Sequence, residues 1–405
     1  MRRLGHTSST YMNPDDPESF VNWLELGVQL VSAGGKAYKL AKSPAAKTLY
    51  QKALDTFGRG HIPSPLDWNV DWGHYYSREN DVLWLRDDKG REVFYPQKLV
   101  LDGRHVQSDA DILIVADPSV FRPAQTEPEA LEFYRAEKER TKARFFNGEN
   151  ARLVEVSPTK WVFQRVGYFD YLTTNLALDG LRKQKLRGLD IDKGCLRPLA
   201  NSCYANSTGI NSLVFTSDGY AVFMVRNGQV LVRPGEICSG YSGTIDYPDV
   251  KEAETNPRFN LKGVEIDREG QEECAFWGTE VTKRRLLGVT RELVRGGTPE
   301  VFYAVELDIK WEDLKGRTPA DKEGSLFAVN FTPKFAKCYP DGELVDRVDD
   351  LLWHWMHDLV TGAQRTLKAR NTPAVVSVPL FTNIALWLLC AGCKNVGAAP
   401  FHNGA

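Results

Sequence analysis

The sequence predicts an α/β protein, a mixed sheet held between helices, preceded by an amino-terminal α+β unit. Apolar runs bounded by turn residues recur along the chain, as at Val82–Leu85, Ile210–Thr216 and Val301–Val305, and read as strands. Between them lie stretches with helical spacing or dense charge, such as residues 127–143 and 343–369. Strands interrupted by helices argue for an α/β arrangement rather than an all-β block. A length of 405 residues, with 42% hydrophobic residues and ten Trp, is enough core for two or three domains. We divide the chain into residues 1–110, a bridge at 111–200 and a main domain at 201–395. The net charge of −2 gives no global attraction to nucleic acid or to an acidic membrane. Seven scattered cysteines, an odd number, fit a reduced cytoplasmic interior better than a disulfide framework. Met1-Arg2-Arg3 leads into polar residues, so no secretory signal is read.

In the amino-terminal unit, Asp16-Pro17-Glu18 starts a helix whose apolar side carries Phe20, Trp23 and Leu24. A second helix runs from Pro44 to Phe57 and ends at Gly58-Arg59-Gly60. Trp68, Trp72, Tyr75 and Tyr76 form an aromatic cluster suited to packing. Val82–Leu85 and Val93–Tyr95 flank a polar turn and make a hairpin. No catalytic constellation precedes residue 110, and His61, His74 and His105 have no metal-like grouping.

The bridge opens with a buried strand, Asp111–Asp117, closed by Pro118. A charged helix follows at 127–143, and two strands at 152–156 and 160–164 are joined by Ser157-Pro158-Thr159. The segment Tyr168–Asn175 is dense in groups that bond to sugar or phosphate; Asp170 and Asn175 are its candidate ligand contacts. The plainer reading is a helix start in which Asp and Thr serve the backbone.

In the main domain, Ile210–Thr216 and Ala221–Arg226 are strands joined by Ser217-Asp218-Gly219, and Asn227-Gly228 signals a further hairpin. Ser239–Asp246 reads as a small-residue loop whose backbone N–H groups, near Gly243, can approach a phosphate. Arg268-Glu269-Gly270-Gln271-Glu272-Glu273 then carries the chemistry. On a helix, Glu269, Glu272 and Glu273 at i, i+3 and i+4 share one face, which Glu265 extends. Like charges at that spacing repel, and Gly270 costs a helix ~1 kcal/mol against Ala. Hard divalent cations favour carboxylate oxygens and would offset that repulsion. A solvated acidic face is the plainer alternative. Arg284–Thr290 and Val301–Val305 are the next strands, and the loop between them offers Arg291 and Arg295 as guanidinium donors for a diphosphate.

The R-E-x-x-E-E run resembles the heart of the box of Nudix hydrolases. That resemblance implies a Nudix-type α/β/α sandwich and cleavage of a nucleoside diphosphate linked to another group. It further implies Mg²⁺ or Mn²⁺ held by Glu269, Glu272 and Glu273, with Arg268 as the orienting partner. Gly270 stands where the family has an aliphatic residue, Ala275 where it has glycine, and the upstream G-x5-E half is missing at normal spacing. An insertion at 247–262 would account for this, with Asp246, Asp249, Glu252 or Glu254 replacing the lost glutamate. The order of Tyr168–Asn175, Arg226 at a strand end, the Gly243 loop, and the Arg291 and Arg295 loop resembles Nudix proteins that hydrolyse UDP-glucose and UDP-galactose. It implies a nucleotide or nucleotide-sugar ligand; a catalytically silent nucleotide sensor is the alternative.

At the carboxy-terminal end, residues 343–369 form an amphipathic helix with His354 and His357 at i, i+3 and nothing to complete a metal site. Val375–Cys393 is the most apolar run, marginal against the ~20 residues a bilayer needs, and reads as a core or homodimer-interface helix. Cys390-x-x-Cys393 has no second pair.

Overall fold

The β-branched and aromatic residues of Leu286–Thr290 and Val301–Val305 pair in the longest ladder among the described residues. In the computed structural model, described residues are 70–86, 92–141, 146–178, 186–226, 236–256, 268–320, 323–330, 359, 362–363, 366, 375–390 and 396–401. The expected helices at 16–31 and 44–57, the Asn227-Gly228 turn, Glu265, His354, His357 and Cys393 lie outside them.

Strands β12 (Val281–Glu292) and β13 (Thr298–Leu307) are antiparallel, with Leu286 opposite Tyr303 and Thr290 opposite Glu300. On one side β13 runs parallel to β8 (Gly209–Phe215), which leads through β9 (Tyr220–Arg226) and β10 (Glu236–Ser239) to β15 (Val375–Val376). On the other side come β2 (Glu92–Asp102), β1 (Val82–Arg86) and β16 (Val396–Ala399). β11 (Tyr241–Thr244) pairs with β8, and β14 (Gly324–Asn330) with β9. Among the described residues this is an eleven-stranded mixed sheet, and the α/β class read from the sequence is present. The hairpin at 82–102, assigned from sequence to the amino-terminal unit, lies in this sheet beside β12.

Alternation along the strands sends side chains to two cores. Leu213, Phe223, Phe302 and Ala304 face one, which helix α7 (Val378–Cys390) covers with Leu380, Phe381, Ile384 and Leu386. Burying each such side chain contributes ~1.5–3 kcal/mol. The Tyr95 phenol ties the helix start to the sheet by donating to the Val378 carbonyl at 2.5 Å. Ile210, Val214, Val301, Tyr303 and Val305 face the other core. There a small sheet, ordered β3 (Leu113–Val120), β5 (Lys160–Gly167), β4 (Glu149–Val156), packs with α4 (Tyr247–Thr255). Further helices among the described residues are α1 (Trp72–Tyr76), α2 (Pro128–Thr141), α3 (Tyr168–Thr173), α5 (Gln271–Cys274) and α6 (Trp311–Lys315).

Two local expectations change. Pro118 does not close β3; the strand continues to Val120 through a register shift after Asp117, which accommodates the missing N–H. Ser239–Asp246 is not a loop, because β10 and β11 run through it with Gly240 between them. A Cβ on Gly240 would come within 2.8 Å of Val214, so its bare Cα is what lets the chain pass that close to β8. Among the described residues, no helix is long and apolar enough to cross a membrane.

Candidate functional site

The pairing of β11 with β8 puts Thr244 beside Gly209 and Ser242 beside Asn211, while β13 brings Glu300 to the other side of Gly209. One row of the sheet therefore reads Glu300, Gly209, Thr244. Two glycines leave room for two carboxylates. A Cβ on Gly209 would lie 2.2 Å from Glu300 Oε2, and one on Gly243 would lie 2.3 Å from Glu269 Oε1.

Glu269 and Glu273 come from a π-type turn at Arg268–Gly270 that runs into α5. Both carboxylates are buried, at 7% and 6% exposure. Glu273 accepts the Ser242 N–H at 2.7 Å, and Glu269 pairs with Arg268 Nη1 at 2.9 Å. Burial, reinforced by Glu272 and Asp246 and opposed by Arg268, pushes the Glu269 carboxyl up to about 7. Burial and the neighbouring Glu269 hold the Glu273 carboxyl well above the ordinary carboxylate range. Two acids that resist ionisation side by side are poised to take a proton or a cation.

Arg268 serves several acids at once. Its Nε donates to Asp249 at 3.1 Å, Nη1 lies 3.7 Å from Asp246, and Nη2 donates to the Thr244 carbonyl at 3.2 Å. Of the four candidate replacements for the missing glutamate, Asp246 and Asp249 thus meet the Arg268 guanidinium. Glu254 instead accepts the Ala116 N–H, and Glu252 is exposed.

At the other end of the row, Glu300 accepts from Asn211 Nδ2 at 2.6 Å and faces Arg295 Nη1 at 3.6 Å. Arg295 Nε faces Glu292 at 3.4 Å, and its Nη1 donates to the Tyr171 phenol at 3.4 Å. Burial works against the Arg295 charge, but Glu292, Tyr171 and Glu300 outweigh it and hold the guanidinium firmly protonated. Arg226 reaches Glu323 at 3.1 Å with Nη2, while its buried Nε makes no hydrogen bond.

These groups line one cavity of about 560 Å³, to which Tyr168, Tyr171 and Phe146 add an aromatic side. Its described lining carries eight acids and three arginines, Arg226, Arg268 and Arg295. An anionic ligand therefore needs a cation with it to enter.

The structure brings together Arg226, Gly243, Arg268, Glu269, Glu272, Glu273 and Arg295 on this cavity, and leaves three expected residues off its lining. Arg291 is 3% exposed and spends its donors elsewhere: Nε on the Gly297 carbonyl at 3.0 Å, Nη1 on the Arg197 carbonyl, Nη2 on Asp190 at 3.4 Å. Asp170 accepts the Gly167 N–H at 3.1 Å, the backbone-serving role of an acid in the first helical turn. Asn175 is buried and donates to Asn206 Oδ1 and to the Arg295 carbonyl, both at 2.9 Å. The same segment reaches the cavity through Tyr168 and Tyr171, at i, i+3 on α3. Sequence reasoning passed over them, and over Glu323; the i, i+3 spacing of the tyrosines was the available signal.

Carboxylate oxygens suit a small divalent cation. Among the described residues, no group of three or more His, Cys, Asp or Glu is arranged to hold a metal ion. Mg²⁺, however, is commonly held by one or two carboxylates, with substrate oxygens and water completing its shell. The buried Glu269 and Glu273 pair fits that requirement.

No protein-family model matches the chain, and no curated protein does. Among solved structures, the crystal structure of DR0079 from Deinococcus radiodurans is similar over 36% of this chain and 82% of that chain, at 13% identity and a TM-score of 0.23. A likeness of that size carries no argument about fold or function.

Proposed function

We propose that this cavity binds a nucleoside diphosphate linked to a sugar or similar group and hydrolyses the diphosphate in the cytoplasm, with Mg²⁺ or Mn²⁺ as cofactor. The observation that carries the reading is the buried Glu269 and Glu273 pair, seated against the bare Gly243 and the Ser242 N–H in a cavity that also holds three arginines. Glu269 and Glu273 would hold the cation, with Glu272 on the same lining. When bound, the cation supplies charge stabilisation at the phosphoryl oxygens and makes water more acidic. Arg268 opposes the burial that would keep Glu269 protonated. Arg226, with a buried Nε lacking a hydrogen bond, and Arg295 are the donors for the diphosphate, since positioning and electrostatics supply most catalysis of phosphoryl transfer.

The test is a panel of nucleoside diphosphate sugars and dinucleotides incubated with Mg²⁺ or Mn²⁺, with products separated by chromatography. Wild-type chain releases two phosphorylated products, and Glu273→Gln loses turnover by ~10²-fold or more while its melting transition stays cooperative. A second reading, a nucleotide-binding sensor without turnover, is favoured by the lack of a three-ligand metal group among the described residues. It predicts nucleotide binding with no products even under Mn²⁺.

A further inference from the structure

Arg295 sits on a tight turn between β12 and β13, and that turn is held in an unusual way. Its backbone is seized by side chains from distant parts of the chain. The Leu293 carbonyl accepts from the Tyr76 phenol at 3.0 Å and from Arg187 Nη1 at 2.7 Å. The Val294 carbonyl accepts from Arg187 Nη2 at 2.7 Å. The Arg295 carbonyl accepts from Asn175 Nδ2 at 2.9 Å and from the Thr298 hydroxyl at 3.1 Å. The Gly297 carbonyl accepts from Arg291 Nε at 3.0 Å.

A short turn ordinarily satisfies its carbonyls with its own N–H groups or with water, and this one does so in part, the Gly296 N–H donating to the Leu293 carbonyl at 3.1 Å and the Gly297 N–H to the Glu292 carbonyl at 2.8 Å. Here Tyr76, Asn175, Arg187 and Arg291 are all buried. Desolvating two guanidinium groups to grip three of the turn's peptide oxygens is costly unless the turn must be fixed. Gly296 and Gly297, at φ 64° and 86°, let the chain leave the turn in a shape other residues resist. The group so fixed is the Arg295 guanidinium, set among Glu292, Glu300 and Tyr171 on the cavity.

We infer that Arg187, with Asn175, is a positioning residue for Arg295: it grips the two carbonyls preceding Arg295 and so sets where that guanidinium stands in the cavity. Arg187 is well suited because its planar fork reaches two successive oxygens, which an ammonium cannot do in the same way. The inference rests on the proposed role of Arg295 as a diphosphate donor, but the clamp itself can be tested without it.

The experiment uses full-length protein labelled with ¹⁵N-arginine, reading the Nε–Hε correlations. The Arg295 signal is assigned by its loss in Arg295→Lys. Arg187→Lys and the milder Asn175→Leu are expected to shift or broaden that signal while the Arg226 and Arg268 signals keep their positions. The second readout is the affinity for inorganic pyrophosphate with Mg²⁺ by calorimetry. Arg187→Lys is expected to weaken it about tenfold, as Arg295→Lys does, and the double variant no further. An unmoved Arg295 signal in Asn175→Leu and in Arg187→Lys overturns the inference, even if both variants melt lower. A moved signal with no pyrophosphate binding by the wild type upholds the clamp and counts against the diphosphate reading.

Discussion

Adding one methyl group at Gly243 should disable the acid pair while leaving the fold nearly intact. The Cβ of Gly243→Ala would stand 2.3 Å from both Cδ and Oε1 of Glu269 and 2.5 Å from Oε2. Ordinary contact is about 3.5 Å, so the carboxylate has to retreat by roughly 1 Å. The obstacle is the far end of a flexible side chain, which pivots more readily than backbone or ring. Retreat breaks the 2.9 Å contact between Arg268, whose side chain is 30% exposed, and Glu269, whose side chain is 9% exposed, a hydrogen bond to a charged group that contributes ~1–3 kcal/mol. Stability should therefore fall by ~1–3 kcal/mol, a modest shift in melting temperature. Function responds differently, because a displacement of about 1 Å at a reacting centre can cost ~10²-fold in rate. The assays are thermal melting, Mn²⁺ affinity from quenching of tryptophan fluorescence, and turnover on the nucleotide-sugar panel, with Glu269→Gln as reference. In a Glu269→Gln background the alanine should cost nothing further. Mn²⁺ affinity and turnover within twofold of wild type for Gly243→Ala, beside loss of both in Glu269→Gln, would refute the idea that this bare Cα seats the carboxylate.

The neighbouring glycine behaves in the opposite way. Gly270→Ala gains ~1 kcal/mol of helix propensity. Its Cβ, however, would sit 2.3 Å from Cζ of the fully buried Phe276 ring, and overpacking of that kind costs ~1–3 kcal/mol. Urea denaturation should find the variant less stable; a gain would refute the packing argument. Stability should also depend on pH through Glu269. Its folded carboxyl is raised from 4.5 to about 7, so its contribution is full below 4.5 and is lost as pH rises through 7. Without divalent cation, unfolding free energy should fall over that interval by on the order of 3 kcal/mol relative to Glu269→Gln. Denaturation at a series of pH values tests this, and parallel curves for the two proteins would contradict it. Mg²⁺ should restore the loss above pH 7, since it favours the ionised folded form.

The acid cluster was legible because its pattern is local. The spacing of Glu269, Glu272 and Glu273 predicts one shared helix face; in the structure Glu269 stands on the π-type turn before α5, and all three line the cavity. The α/β class was legible for the same reason, since strand alternation and turn residues are short-range signals. Arg291 and Arg295 show where such reading stops. They are equivalent as letters in one loop, and what separates them is Asp190 and the Arg197 carbonyl, brought from a part of the chain that no local pattern links to β12. Tyr168–Asn175 does reach the cavity, but through other residues than the two read from the sequence. Asp170 and Asn175 have the polar groups, yet the turn of α3 commits them to backbone and presents Tyr168 and Tyr171 instead. Gly270, a departure from the Nudix pattern in the sequence, acquires a cause only in three dimensions, because the Phe276 ring fills the volume a side chain there would need.

The closing of the sheet by β16 has a bearing on how the molecule is made. β1 is zipped on one flank by its hairpin partner β2 and on the other by β16, a strand far along the chain, Val82 meeting Ala399. On the ribosome the first flank can form early, while the second stays open until Val396–Ala399 has emerged. An uncovered strand flank is adhesive, and so remote a pairing is slow to find. That flank of β1 is thus exposed to mispairing until β16 arrives to cover it.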